Sequence, residues 1–382
     1  MSKFIPLSVP NLKGNEKKYV DDAITQEWVS TGGAYINRME KMMAEYVRVP
    51  DAVACQSGTA ALHLSLICCG VKAGEEVIVP TLTFVAAVNP VRYVNAEPVF
   101  MDCDDTLCMD MDKLERFCAD ECEMRDGKLI DKVTDKYISA VIVVHVFGNI
   151  ANMEKLMELK SKYGFKIIED ATEAVGSYIK SGEFVGKFAG TIGDMGALSF
   201  NGNKIITTGG GGMLISENTG FLEKARYLST QAKDDAVYFK HNEVGYNYRM
   251  TNLQAAVGVA QLEQLEDFIS IKHANYNTYV ENGIPLYPFR ADTRSNYWFY
   301  SYLTEKRDEL ITYLGENNVQ SRPIWHLIHA LPPFIHSRNY CIEKAQYFWE
   351  HVVNIPCSTN LNKADVIHVS NLIHEFENMG EK

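Results

Sequence analysis

The sequence predicts an α/β protein with a large, mostly parallel sheet domain and a smaller α+β domain at the C-terminus. The first reason is length, because 382 residues are more than one small core requires. The second is that short apolar runs alternate with helix-like runs between residues 52 and 217, which is typical of a parallel sheet covered by helices. The third is a change of pattern after residue 280. We therefore predict a large domain over residues 1–260 and a small one over residues 261–382.

The elements follow from local pattern. The predicted strands of the large domain are short apolar or β-branched runs: 52–55, 75–80, 97–102, 137–148 and 165–170. The predicted helices have apolar positions at helical spacing: 59–70, 84–94, 152–164 and 251–280. Residues 104–136 are polar and poorly patterned, which indicates an excursion from the core. In the small domain we predict a strand over 297–303 and a helix over 307–318.

The composition argues against several classes of protein. A net charge of -12 disfavours binding to nucleic acid or to a membrane surface, since both require basic patches. No apolar run approaches the length of a membrane span, and the first twenty residues lack the apolar segment of a signal peptide. Nine scattered cysteines indicate reduced thiols, and neither they nor the histidines show the spacing of a metal site. We expect a cytoplasmic protein without a metal.

Three stretches at predicted strand ends carry residues suited to chemistry. In "CQSGTAAL" the free N–H groups of a helix start, with Gly58 and Thr59, are suited to a phosphate, although the same residues are also typical of a plain N-cap. Asp170 ends a buried strand, where its carboxylate either pairs with a cation such as a protonated pyridine nitrogen or caps a helix. Lys204 lies between Ser199 and a run of four glycines, so it is either a nucleophilic amine or a surface lysine before a flexible loop.

Taken together, these stretches place a phosphate cup, a carboxylate and a lysine in chain order, each at a predicted strand end. Ser199 adds a possible hydrogen bond to a phosphate. Phe84 follows another strand end and either stacks on a ring face or packs in the core. This combination is suited to pyridoxal phosphate.

Several longer stretches then resemble the DegT/StrS group of sugar aminotransferases, in order and spacing, from residue 28 to about residue 357. The matching stretches are "SGTAALHLSL", "VIVPTLTFVA", "VHVFGNIANM", "IIEDATEAVGS", "SFNGNKIITTGGGGM", "GYNYRMTNLQAAVGVAQLEQL" and "RPIWHLIH". The resemblance implies a type I fold like that of aspartate aminotransferase, a homodimer and pyridoxal phosphate. The chain departs from the usual family pattern at Glu173, Gly210 and Leu327.

The resemblance also implies roles for individual residues. Lys204 resembles the lysine that forms a Schiff base with the cofactor, and Asp170 resembles the partner of the pyridine nitrogen. The other cofactor contacts implied are Gly58, Thr59, Ala60, Phe84, Glu173, Ser199 and, from the neighbouring subunit, Asn247. The substrate contacts implied are Arg249, Arg322 and His329. An ion pair at a dimer interface is an equally simple role for Arg249.

The implied function is transfer of an amino group from L-glutamate to a nucleotide-linked keto-sugar. The glycine run and "SFNGNK" are most similar to the branch that aminates C4 of UDP-4-keto-6-deoxy-N-acetylglucosamine, as in legionaminic-type pathways. A 3-keto sugar is the alternative substrate. Sugar dehydratases of the same fold carry His at the lysine position, so Lys204 argues against them, and the intact set of site residues argues against a non-catalytic sensor.

Overall fold

The computed structural model describes residues 3–235 and 237–379, and its centre is an eight-stranded sheet. The helices of the described residues are α1 Glu16–Thr25, α2 Ala34–Val47, α3 Gly58–Cys68, α4 Asn89–Tyr93, α5 Met111–Arg116, α6 Met153–Tyr163, α7 Thr219–Ser229, α8 Asn252–Leu262, α9 Leu265–Glu281, α10 Arg307–Glu316, α11 Lys344–His351 and α12 Lys363–Met379. The strands are β1 Asp51–Cys55, β2 Glu76–Pro80, β3 Glu97–Met101, β4 Cys122–Arg125, β5 Lys128–Asp131, β6 Ile138–Val144, β7 Lys166–Asp170, β8 Tyr178–Ile179, β9 Met195–Ser199, β10 Gly212–Ser216, β11 Thr293–Arg294, β12 Tyr300–Leu303, β13 Arg322–Pro323, β14 Asn339–Tyr340 and β15 Val352–Ile355. No helix within those residues is long and apolar enough to cross a membrane.

The large sheet is mostly parallel, as the alternating pattern predicts. Its order is β1-β10-β9-β7-β6-β2-β3-β14, and among the described strands only β10 runs against its neighbours. All seven residues of β6 are buried, which is the pattern of a central strand covered on both faces. Because the other strands run in one direction, the carboxyl ends of β1, β2, β6, β7 and β9 meet at one edge. That edge is where open α/β sheets bind ligands.

Local signals explain the helices that support this edge. Asn152 caps α6 by accepting a hydrogen bond from the N–H of Lys155, and Gly164 ends the helix in the left-handed conformation with φ of 79°. The N-terminus of α8 has a capping box formed by Thr251 and Gln254. Helix α6 begins and ends close to the predicted positions, and α8 begins close to its predicted start.

Two predicted helices are interrupted in the structure. The run over 84–94 is a 3₁₀ turn, Val85–Ala87, followed by the short α4, because Pro90 supplies no N–H for a continuous helix. The run over 251–280 is divided into α8 and α9 at residues 263–264. Gln261 and Gln264 both donate to Oε1 of Glu16 in α1, at 2.6 and 2.9 Å, and this tertiary contact fixes the turn.

The C-terminal part of the chain has its own three-stranded antiparallel sheet, of order β12-β15-β13. It also returns to the large sheet, where β14 pairs in parallel with β3. The predicted excursion over 104–136 contains α5, a π-helical turn and the β4–β5 hairpin. The division of the chain near residue 261 stays a prediction.

A buried carboxylate joins the C-terminal part to the large sheet. Asp102 follows β3 and is fully buried, and its oxygens accept hydrogen bonds from Nζ of Lys113 at 2.7 Å and from the first N–H groups of α11 at Lys344 and Ala345, at 3.0 and 2.8 Å. Burial alone would raise the pKa of Asp102, but Lys113 and the helix N–H groups outweigh it and hold the pKa below its usual value. Asp102 is therefore charged at neutral pH and fixes the position of α11.

We expect Asp102→Asn to lower the free energy of unfolding at pH 7 by about 3 kcal/mol, because it removes one partner of a buried ion pair. Urea denaturation followed by circular dichroism measures the change. The matched control is Asp105→Asn, since the side chain of Asp105 is 79% exposed and its ion pair with Lys344 is of the weak surface kind. Equal effects of the two substitutions would contradict the role given to Asp102.

Candidate active site

The candidate site is a cavity of about 270 Å³ at the carboxyl edge of the large sheet. It collects residues from several strand ends and from the turns that follow them. The predicted site residues that line it are Gly58, Thr59, Phe84, Asp170, Glu173, Ser199 and Lys204. The structure thus brings together seven residues that are up to 146 positions apart in the chain, from Gly58 to Lys204.

The N-terminus of α3 forms one end of the cavity. Ser57 caps the helix by accepting from the N–H of Ala60 at 3.0 Å, so Ala60 uses its N–H within the cap and does not line the cavity. The N–H groups of Gly58 and Thr59 belong to the first helical turn, where no intrahelical acceptor exists. A side chain at Gly58 would lie only 3.0 Å from Ser199 and Thr172. The plain N-cap is therefore present, and the N–H groups of Gly58 and Thr59 in the same turn are of the kind that binds anions.

Asp170 is the last residue of β7 and is 3% exposed. Its Oδ1 accepts from the N–H of Thr172 at 3.0 Å, and turns rather than a helix follow it, so the alternative of a helix N-cap is wrong. Burial raises the pKa of Asp170 more than the hydrogen bonds from Thr172 and the charge of Lys204 lower it. A cation beside this carboxylate would restore its charge.

The opposite face of β7 is anchored by Glu169, because successive residues of a strand point to opposite faces. Glu169 is fully buried, and His145, Gly190, Ile192 and Gly193 all donate to its oxygens. The N–H of Ala151 donates to Nδ1 of His145, so Nε2 carries the hydrogen that is donated to Glu169 at 2.8 Å. This network fixes the end of β7 and with it the position of Asp170.

Lys204 lies in the turn after β9 with only 12% of its side chain exposed, so the alternative of a surface lysine is wrong. Its Nζ is 3.7 Å from Oε1 of Glu173 and 3.8 Å from the ring centroid of Trp298. Burial lowers the pKa of Lys204, against the opposing effect of Glu173 and Asp170. Burial likewise raises the pKa of Glu173 to about 7. A lowered pKa makes the amine a better nucleophile at neutral pH.

A second cavity of about 380 Å³ adjoins the first and shares Phe84, Glu173, Asn201 and Lys204 with it. Arg322 lines this second cavity, as do residues that the sequence did not single out. Those are mainly Asn203, Trp298, Gln320, Trp325 and Asn354. Trp298 belongs to a strand-like aromatic run, Asn203 and Trp325 belong to stretches that resemble the family, and Gln320 and Asn354 show no pattern.

Besides Ala60, three predicted residues line neither cavity in the described part of the chain. Arg249 is buried and donates to both carboxylate oxygens of Glu40. His329 shares a hydrogen bond of 2.7 Å with the hydroxyl of Thr81, and Asn247 is exposed. Arg249 is thus in an ion pair within its own chain.

The residues of the first cavity fit pyridoxal phosphate. Two buried carboxyl groups, Asp170 and Glu173, face one amine, so the cavity lacks one positive charge when both carboxyl groups are ionised. A protonated ring nitrogen would supply that charge beside Asp170. The N–H groups at Gly58 and Thr59 suit its phosphate.

Comparisons with known proteins agree with this fit. Residues 10–374 match the model of the DegT/DnrJ/EryC1/StrS aminotransferase family. The chain is 35% identical to GDP-perosamine synthase of Escherichia coli O157:H7, covering 98% of this chain and 99% of that protein. It is 37% identical to the putative pyridoxal phosphate-dependent aminotransferase EpsN of Bacillus subtilis strain 168, covering 100% and 98%.

A crystal structure of a DegT DnrJ EryC1 StrS aminotransferase from Brucella abortus superposes with a TM-score of 0.87 at 25% identity, covering 95% of each chain. The large parallel sheet, the clustered residues and these matches agree. The chain belongs to the DegT/DnrJ/EryC1/StrS aminotransferase family and is a pyridoxal-phosphate-dependent sugar aminotransferase.

Proposed function

We propose that this enzyme transfers the amino group of L-glutamate to C4 of UDP-4-keto-6-deoxy-N-acetylglucosamine, for the synthesis of a bacterial surface glycan. The observation that carries the proposal is the convergence of Lys204, Asp170 and the N-terminus of α3 at one sheet edge. The choice of a UDP-linked 4-keto sugar rests on the resemblance of the stretch around Lys204 and the glycine run.

A GDP-linked keto-sugar is the second candidate substrate. Relatives that are 34–35% identical over nearly the whole chain, from Escherichia coli, Caulobacter vibrioides and Vibrio cholerae, are GDP-perosamine synthases. Their product is a guanosine-diphosphate sugar. The nucleotide is therefore the first property to be tested.

Each residue of the first cavity has a separate proposed role in the reaction. Pyridoxal phosphate, when bound, supplies an electron-accepting ring that stores the amino group between the two half-reactions. Gly58, Thr59 and Ser199 would bind its phosphate and Phe84 would cover its ring. Asp170 would keep a proton on the ring nitrogen. Lys204 would hold the cofactor covalently and, once released, move a proton to and from the reacting carbon through Nζ.

The second cavity is the proposed place of the sugar, because it opens directly onto Lys204. Arg322 lines it, and a guanidinium suits either a diphosphate or a carboxylate. Arg249 is held by Glu40, so we assign the anion-binding role to Arg322 instead. His329, bonded to Thr81, would support the wall after β2 rather than contact the substrate.

A homodimer with shared sites is part of the proposal. Asn247 is exposed on its own chain and lies outside both cavities, which is the arrangement that a residue acting on a neighbouring subunit requires. The segment before it also exposes large apolar side chains, with Tyr238 75% and Phe239 69% exposed. Such exposed apolar groups are typical of a surface that is covered by a partner.

We expect the purified enzyme with L-glutamate to aminate the UDP-linked 4-keto sugar at C4 and to form 2-oxoglutarate in equal amount. The assay uses a panel of UDP- and GDP-linked 4-keto sugars and a 3-keto sugar, with products identified by mass and NMR. Preference for the GDP-linked sugar would select the second candidate, and amination at C3 would contradict both.

We expect Asp170→Asn to slow the half-reaction with glutamate by about three powers of ten, because a neutral amide cannot stabilise a protonated ring nitrogen and a buried charge pair is worth a few kcal/mol. Stopped-flow absorbance of the bound cofactor measures the rate. Thr172→Val is the matched control, since it keeps the N–H that bonds Asp170. Near-normal rates in Asp170→Asn would show that Asp170 only forms the turn after β7 and has no role in catalysis.

We expect two inactive variants, Lys204→Ala and Asn247→Trp, to regain activity when they are unfolded and refolded together. In a mixed dimer one site then holds both native residues, so random pairing restores about a quarter of the wild-type activity. Steady-state assay after refolding at several ratios measures the recovery. Self-contained sites predict no recovery at any ratio, and that result would refute shared sites.

A further inference from the structure

The amine of Lys204 is held between a carboxylate and an aromatic face. Its Nζ lies 3.7 Å from Oε1 of Glu173 and 3.8 Å from the ring centroid of Trp298, and each of these two residues is 3% exposed. We call Glu173 and Trp298 the amine site. An ammonium over an indole face is attracted by the ring quadrupole, and the attraction is strongest where water is excluded.

Trp298 is fixed by hydrogen bonds from three directions. Its indole Nε1–H donates to the carbonyl of Asn203 at 2.7 Å, and its backbone N–H donates to Oδ1 of Asn296 at 3.0 Å. Its own carbonyl accepts from Nζ of the buried Lys272 at 3.0 Å. Because Asn203 precedes Lys204, the same indole ring contacts the lysine amine and restrains the lysine backbone.

One residue connects both halves of the amine site. The N–H of Phe147 donates to Oε2 of Glu173 at 3.0 Å, and the carbonyl of Phe147 accepts from the N–H of Trp298 at 3.2 Å. Phe147 and Tyr297 are both in the left-handed conformation, with φ of 56° and 54°. This conformation is unfavourable for residues other than glycine, so it is kept only where surrounding contacts hold the backbone in place. Such residues are common at functional sites.

A second residue ties the same two segments together. Asn296 is fully buried, and its Nδ2 donates to the carbonyls of Glu173 and Val175 at 2.9 and 3.0 Å. Gly148 permits this approach, because a Cβ there would lie 2.2 Å from Oδ1 of Asn296. The positions of Glu173 and Trp298 relative to Lys204 are therefore set by a rigid backbone and not by their side-chain rotamers alone.

We propose that Trp298 is a positioning residue for the reaction: with Glu173 it receives the amine of Lys204 whenever the lysine is not bonded to the cofactor, and it keeps that amine beside the reacting carbon. The proposal rests on the proposed role of Lys204. A released lysine has a long flexible side chain, and the adjoining second cavity would otherwise let it turn towards water or a substrate anion. An indole face stabilises the ammonium but accepts no proton, so the proton stays available to the substrate.

The first test measures the titration of Lys204 in the full chain freed of cofactor. The rate of acetylation by acetic anhydride is followed against pH, with the Lys204 peptide quantified by mass spectrometry relative to the Lys187 peptide, whose side chain is 44% exposed. Trp298→Leu keeps the surroundings apolar but offers no ring. The other charged groups facing the amine, Glu173 and Asp170, are unchanged.

We expect Trp298→Leu to lower the pH midpoint of Lys204 acetylation by about one unit, because the ammonium loses an aromatic partner in a desolvated site. Trp298→Phe should keep most of the wild-type midpoint. In the cofactor-loaded enzyme, Trp298→Leu should lower kcat about tenfold, with a similar loss in the half-reaction with L-glutamate, from which the nucleotide sugar is absent. The control Trp349→Phe lies on α11, outside both cavities, and should change none of these quantities.

Fluorinated tryptophan provides a second test that does not depend on whether Trp298→Leu folds. Incorporation of mono-, di- and trifluorinated tryptophan weakens the negative ring face without changing its size, in a chain with only four tryptophans. The Lys204 midpoint should fall stepwise with each fluorine, and this dependence should vanish in Trp298→Phe. A midpoint that is independent of fluorine, or a Trp298→Leu enzyme with unchanged midpoint and kcat, overturns the proposal.

These outcomes are separate from a failure of the proposed function. If Lys204→Ala still formed the absorbance band of lysine-bound pyridoxal phosphate and turned over, Lys204 would not be the catalytic amine. The acetylation profile of the cofactor-free wild-type chain would still report whether Trp298 and the amine interact. If Lys204→Ala is inactive but fluorinated tryptophan does not change the Lys204 midpoint in the otherwise wild-type chain, Lys204 remains the catalytic amine and only the role of Trp298 is refuted.

Discussion

The candidate site depends on the balance of charge among three largely buried ionisable groups that line one small cavity. Lys204 can carry one positive charge, whereas Asp170 and Glu173 can carry two negative ones. Burial acts on all three in the direction of neutrality, which is why the pKa of the amine is lowered and those of both carboxyl groups are raised. A ligand with a protonated ring nitrogen would complete this balance. A bound cofactor would thus be part of the electrostatics of the site, and its binding would favour the ionised forms of the two carboxyl groups.

The two carboxyl groups at the end of β7, Glu169 and Asp170, point to opposite faces of the sheet and differ in how many hydrogen bonds they accept. On one face Glu169 has four hydrogen-bond donors, and although burial raises its pKa, His145 and the backbone N–H groups hold it below its usual value. On the other face Asp170 accepts from Thr172 and has no ion-pair partner of its own among the described residues. A satisfied carboxylate therefore fixes the strand end, and an incompletely satisfied neighbour remains free to bind. Buried polar groups of the second kind are costly and are typical of functional sites.

The sequence predicted what depends on local pattern. The alternation of runs predicts the strands β1, β2, β3, β6 and β7, and the sheet they form is mostly parallel. The set of Gly58, Asp170 and Lys204 could be predicted because each residue ends an apolar run or lies within four positions of its end. The contact between Arg249 and Glu40 could not be predicted from the sequence, since the two residues are 209 positions apart and no periodicity links them. Trp298 was missed for the same reason: in sequence it is one more aromatic in a strand-like run, and only the tertiary fold places its ring on Lys204.

The run of four glycines after Lys204 is not uniform. A side chain at Gly212 would meet the backbone of Ser57 at 2.4 Å, so this position must remain glycine for β10 to pass close to the start of α3. A side chain at Gly211 would meet the hydroxyl of Thr208 at 2.2 Å. Gly210 differs, because it lines the first cavity and has an ordinary backbone conformation, and a Cβ at this position would have no other atom within 4 Å. A new side chain there would meet no neighbouring atom, so it could be added without moving the main chain. In evolutionary terms, Gly210 is the position of this glycine run where a single codon change can add a side chain to the wall of the first cavity while the backbone around Lys204 is inherited intact.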